Sequence, residues 1–128
     1  MRTREDVESY LMRSGQPYEE VQPDTWVVCD PATGENIVVR LAGPLVVFRT
    51  KMLTLEKVSR RADLFQKLLE LNASEMVHGA YGLSDGAVVL TCSLRLENLD
   101  YNELSGTLDD FSLAMTNHYQ TLAGYRDA

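Results

Sequence analysis

Asp85-Gly86 divides residues 80–96 into two apolar runs and dictates a β-hairpin there, because glycine tolerates the positive φ that a two-residue turn requires. After the turn, Val88, Leu90, Cys92, Leu94 and Leu96 fall on one side of a strand, and Val89, Thr91, Ser93 and Arg95 on the other. Upstream, Val58, Ala62, Phe65, Leu68, Leu69 and Asn72 recur at three- and four-residue spacing, the period of an amphipathic helix. Helix, glycine-bearing linker and hairpin form the unit around which the rest of the chain must pack.

The first element is a helix that begins at Thr3, with Asp6 three residues on in the manner of a capping box. Val7, Tyr10 and Leu11 give it a narrow apolar stripe, and Ser14-Gly15 followed by Pro17 ends it. Three short strands are expected next, over residues 25–29, 36–41 and 45–53, joined by short turns and therefore antiparallel. Trp26, Val28, Ile37, Val39, Val46 and Phe48 share one side of this meander. The other side carries Val27, Val38, Val47 and Val89 where a solvated face would be polar, together with Arg40, Arg49 and Lys51. Two readings of those valines are open: β-formers filling an exposed sheet, or a binding groove or subunit contact.

The middle helix is capped by Thr54 or Ser59, and Asn72 is expected to end it in the left-handed conformation. A long helix opens at Asp100-x-x-Glu103 with an apolar stripe of Leu104, Leu108, Phe111, Met115 and Leu122, beside which lies Tyr119. Gly106 within it suggests close approach of another element, and the tail after Gly124 is expected to fray. The order α-β-β-β-α-β-β-α is that of an α+β fold, one domain over residues 1–128, with helices laid on an antiparallel sheet.

A net charge of −7 argues against general nucleic-acid affinity. The charge is unevenly spread: residues 40–67 carry +5, against −5 for residues 1–39 and −7 for residues 70–128. That basic segment is either one solvated face or a patch that meets an acidic surface. No apolar run reaches the ~20 residues of a membrane span, and the first ten residues are polar, so a cytoplasmic protein is expected. Cys29 and Cys92 read as reduced thiols on separate strands.

Residues for catalysis do not assemble. His78 and His118 have no partner at metal or triad spacing, and Asp109-Asp110 are neighbours that point apart on a helix. Gly79-x-x-Gly82 precedes a hairpin where a phosphate-binding loop would open a helix. No enzyme, cofactor or metal is expected.

Leu68-Leu69-Glu70-Leu71-Asn72, then Gly79-Ala80-Tyr81-Gly82-Leu83 and Asp85-Gly86 with its apolar strand, resemble the YbjN family, within the type III secretion chaperone-like group that includes the Tir chaperone. Trp26 in the first strand, Leu99 ahead of the last helix and the element order match as well. The resemblance implies a small acidic cytoplasmic homodimer that holds an extended segment of a partner protein on apolar surface. Toward the YbjN side it implies a sensory-transduction regulator without established chemistry. The residues expected to meet a partner are Val27, Val38, Val47 and Val89, with Arg49, Lys51, Arg60 and Arg61 orienting an acidic one. The alternatives are a regulatory domain in bacterial signalling that contacts a folded partner, and a small-ligand-binding domain or enzyme.

Overall fold

The computed structural model describes residues 2–76 and 78–127. The elements run α1 (Arg4–Ser14), β1 (Tyr18–Gln22), β2 (Thr25–Cys29), β3 (Asn36–Ala42), β4 (Leu45–Thr54), a single 3-10 turn (Leu55–Lys57), α2 (Arg61–Ser74), β5 (Ala80–Ser84), β6 (Ala87–Arg95) and α3 (Tyr101–Ala123). The strands form one antiparallel sheet in the order β1-β2-β3-β4-β6-β5. This is the expected α+β architecture with one strand more than the sequence suggested. The sequence signal for β1 is weak because Glu19 and Glu20 are poor β-formers; the strand lies at the sheet edge, pairs among the described residues only with β2, and is bulged between Glu20 and Gln22.

Local chemistry explains the ends of the elements. Thr3 with Asp6, and Asp100 with Glu103, make the two reciprocal capping boxes, and Gly15 closes α1 in the left-handed region. Asp85 and Gly86 both have positive φ and join β5 directly to β6. The alternation along β6 follows: Val88, Leu90 and Cys92 are buried under the helices, and Ser93 and Arg95 are exposed on the far side.

One face of the sheet is the core. Trp26, Val28, Ile37, Val39, Val46, Phe48 and Leu90 are wholly buried, against Leu104, Leu108, Phe111 and Met115 of α3. The Phe48 and Phe111 rings meet edge to face, 6.3 Å apart. The Trp26 indole N–H donates to Glu8 of α1 at 3.1 Å, tying the first helix to the second strand.

Several expectations fail in informative ways. α2 buries Leu64, Leu68 and Leu71, so its inward stripe is turned from the one expected; Leu69 is 69% exposed. Asn72 lies inside α2 rather than ending it, and its carboxamide bonds Tyr81 of β5. The tail does not fray over its described residues: the Asp127 N–H donates to the Lys57 carbonyl, and its carboxylate accepts from the N–H and hydroxyl of Ser59. Those bonds, the hydroxyl's first, hold the Asp127 carboxyl below its ordinary pKa.

Gly106 is not held by close packing among the described residues; a Cβ there would meet nothing within 4 Å. Gly106→Ala is therefore expected to stabilise the protein by about 1 kcal/mol, the helix-interior cost of glycine. A thermal melt checks this, and an unchanged or lower midpoint would contradict it.

Candidate protein-binding surface

The helices pack on one face of the sheet, which leaves the other face open. Register fixes what stands side by side there. Glu19 is opposite Val27, Val27 opposite Val38, Val38 opposite Arg49, and Arg49 opposite Thr91. In the neighbouring row, Thr25 is opposite Arg40, Arg40 opposite Val47, and Val47 opposite Ser93. Lys51 pairs with Val89, and Leu45 with Arg95. Val38 is 37% exposed, and Val27 and Val47 are half-buried.

The structure thus gathers Val27, Val38, Val47, Arg49 and Lys51 on one surface. Val89 shares the face but is only 7% exposed, in a central strand between Lys51 and Gly82. Arg60 and Arg61 lie elsewhere, just before and at the start of α2. Arg60 donates to the Gly124 carbonyl at 2.8 Å and stacks on Tyr125, while Arg61 donates to the carbonyls of Val58 and Leu55. Both guanidinium groups hold the chain's own backbone, so the basic segment counted along the sequence splits in space. Two cations on the open face were missing from the expected set, Arg40 and Arg95. Their signal was present, since period-2 alternation puts Arg40 beside Val38 and Arg95 beyond Ser93.

A groove of about 270 Å³ leads from this face to the free edge, lined by Pro17, Tyr18, Glu19, Val27, Cys29 and Asn36. On its outer side β1 has no strand partner among the described residues, so its outward backbone groups are available for pairing. The opposite edge is plugged at Tyr81: Asn72 accepts from the Tyr81 N–H at 2.7 Å and donates to the Tyr81 carbonyl at 3.1 Å.

Behind Tyr81 lies a buried polar chain. The Tyr81 hydroxyl bonds His118 Nδ1 at 2.7 Å, and His118 Nε2 faces the Glu75 carboxylate at 3.5 Å. Burial, with a smaller contribution from Glu75, pushes the Tyr81 hydroxyl well above the ordinary tyrosine pKa. His118 is 4% exposed and performs a structural task, linking α3 to β5. His78 is exposed and paired with Asp110, which ties the loop before β5 to α3. Among the described residues no three His, Cys, Asp or Glu side chains converge as a metal site, and no helix is long and apolar enough to cross a membrane.

A six-stranded antiparallel sheet with helices on one face and an open, partly apolar other face is an architecture suited to binding another polypeptide. The chain belongs to the type III chaperone family described as CesT_Tir_1, whose model matches residues 1–127. Solved structures share the fold. The ExsC–ExsE complex contains a chain with TM-score 0.71 at 14% identity, covering 95% of this chain and 97% of that one. The ExoU–SpcU complex of the Pseudomonas aeruginosa type III secretion system gives TM-score 0.67 at 18% identity, covering 94% and 97%. YbjN of E. coli, described as a putative transcription regulator, gives 0.65 at 14%, covering 93% and 92%. Comparison with curated proteins gives no match.

Proposed function

We propose that this protein is a non-enzymatic, chaperone-like binding module that works as a homodimer and holds an extended segment of a partner protein on its open sheet face and free edge. The observation that carries the reading is that Val27, Val38 and Val47, uncovered by any helix, share the sheet face bordered by edge strand β1, whose outer side has no strand partner among the described residues. Apolar anchors of the segment rest on the valines, and its backbone pairs with the outer side of β1, so affinity comes from main-chain bonds and selectivity from side chains. Family membership and the two-protein complexes among the structural neighbours, ExsC–ExsE and ExoU–SpcU, support a protein partner.

The homodimer rests on a second surface. Leu69 on α2 is 69% exposed and Leu83 on β5 is 53% exposed. The Asn72–Tyr81 bonds set α2 alongside β5, and the chain reverses between them. Leu83 therefore runs back toward the turns that carry Leu69 and the half-buried Phe65. Such a patch, separate from the sheet face, leaves both sheet faces of a dimer free.

The test is affinity capture of the tagged protein from its own host, run in parallel with a Val38→Asp/Val47→Asp variant. The wild type is expected to retain a stoichiometric partner through a segment that proteases cut in the free partner and spare in the complex. The variant is expected to lose it, and the wild-type mass by light scattering to be twice 14.4 kDa. A variant that keeps every partner at full yield would remove the sheet face from consideration, and a monomeric mass would remove the dimer. A folded globular partner would transfer the argument to a regulatory contact.

A further inference from the structure

We infer that the segment held on the open face is acidic as well as apolar: aliphatic anchors flanked by carboxylate side chains. The inference rests on the protein-binding reading above and adds the chemistry of the partner. Arg40, Arg49, Lys51 and Arg95 stand on this one face, and among the described residues none of them forms an ion pair. Arg49 reaches only the Ser84 hydroxyl, at 3.4 Å. Four unpaired cations together are notable in a chain of net charge −7. The acid in these rows, Glu19, sits three strand spacings from Arg49, roughly 14 Å away across the sheet.

Register arranges valine and arginine alternately. Val38 faces Arg49 across the β3–β4 ladder, and Arg40 faces Val47 in the next row on the same side, so the two valines occupy one diagonal of a square and the two arginines the other. An aliphatic side chain seated on the Val38–Val47 diagonal has a guanidinium group on either side. Arginine stems extend the apolar floor, while their planar heads offer paired N–H donors that match a carboxylate. An exposed ion pair alone contributes little, but apolar anchors that exclude water raise its value. A bare polyanion is a poorer occupant: it makes no use of the valines, and the acidic body repels it.

The test uses the full chain and four fluorescent probes of twelve units, with binding read by anisotropy: an alternating Glu-Leu peptide, Ser-Leu and Lys-Leu peptides of the same pattern, and a single-stranded RNA. The Glu-Leu peptide is expected to bind about tenfold more tightly than Ser-Leu, and Lys-Leu most weakly. Arg40→Glu/Arg49→Glu, both exposed substitutions, should cost the Glu-Leu peptide at least about tenfold and favour Lys-Leu, with the melting temperature unchanged. Equal binding of the three peptides, no binding of Glu-Leu, or RNA bound as tightly as Glu-Leu would each overturn the inference. So would conversion of a dimer to monomers by the charge reversal, which would make this face a contact between copies. If the partner captured from the host survives Arg40→Glu/Arg49→Glu yet is lost with Val38→Asp/Val47→Asp, the holding surface stands and the acidic chemistry falls.

Discussion

Replacing Gly79 by alanine is expected to destabilise the protein by about 3 kcal/mol, from two costs that add. Gly79 has φ +83°, in the left-handed region where a side chain costs ~1–2 kcal/mol. A Cβ built there would lie 2.6 Å from the Thr91 carbonyl oxygen, 3.2 Å from Cys92 Cβ and 3.4 Å from the Phe111 ring. The carbonyl belongs to β6, a central strand, and cannot retreat without disturbing the ladder; overpacking of this kind costs typically ~1–3 kcal/mol. The loop must then lift from α3, taking with it the His78–Asp110 pair. Urea unfolding gives the number, and Gly82→Ala is the control. Three residues on, a Cβ would meet nothing within 4 Å, so Gly82→Ala should be neutral or mildly stabilising. Equal midpoints for the two variants would mean that the loop accommodates the methyl group and that the close approach is unimportant.

The Gly79 case marks how far the sequence could be read. Features that depend on a few consecutive residues were legible: the Asp85-Gly86 turn, both capping boxes, the Gly15 stop, and the alternation along β6. Each is a local conformational preference, and the structure contains each. The glycine at position 79 was visible too, but its reason was not, since the atoms that exclude a side chain belong to residues 91, 92 and 111.

The same limit explains the misplaced stripe on α2. Phe65 and Leu69 have the composition of core residues, and only the position of the sheet shows that Leu64, Leu68 and Leu71 face it. In the candidate surface, period-2 alternation correctly groups Val27, Val38, Val47, Arg49 and Lys51, since register follows from short turns. Arg60 and Arg61 were grouped with them by proximity in sequence alone. Their partners are carbonyls at positions 55, 58 and 124, which charge counting cannot see. Glu19 was hidden with β1, because in a five-residue edge strand the adjacent Glu19 and Glu20 outweigh the β preference of Tyr18 and Val21.

Replacing Asn72 by leucine is expected to cost about 2–4 kcal/mol, although the side chains are similar in size and Leu is the better helix former. The carboxamide imitates a neighbouring strand, accepting from the Tyr81 N–H and donating to the Tyr81 carbonyl, and so satisfies the outer backbone groups of Tyr81 in β5. Leucine would leave one donor and one acceptor without partners in a half-buried position, each at ~1–3 kcal/mol less whatever water recovers. The Tyr81 ring, held from behind by His118, keeps the strand from moving out to find new ones. Asn72→Asp separates the two bonds: it keeps an acceptor for the Tyr81 N–H but sets a carboxylate against the Tyr81 carbonyl, and should also be destabilising. Hydrogen exchange at the Tyr81 amide is the direct readout, with protection expected to fall in Asn72→Leu more than at any β6 amide. Unchanged exchange and an unchanged melting temperature would show that water serves this edge as well as Asn72 does. The consequence for binding follows from sheet topology. With Asn72 in place, the β5 edge is blocked at Tyr81, whereas among the described residues the outer side of β1 carries no such plug, and β1 borders the face that carries the valines and arginines. Freeing Tyr81 would lengthen the unpaired stretch of the β5 edge beside the exposed Leu83 and Leu69, so Asn72→Leu should aggregate or pair indiscriminately before it loses the sheet face.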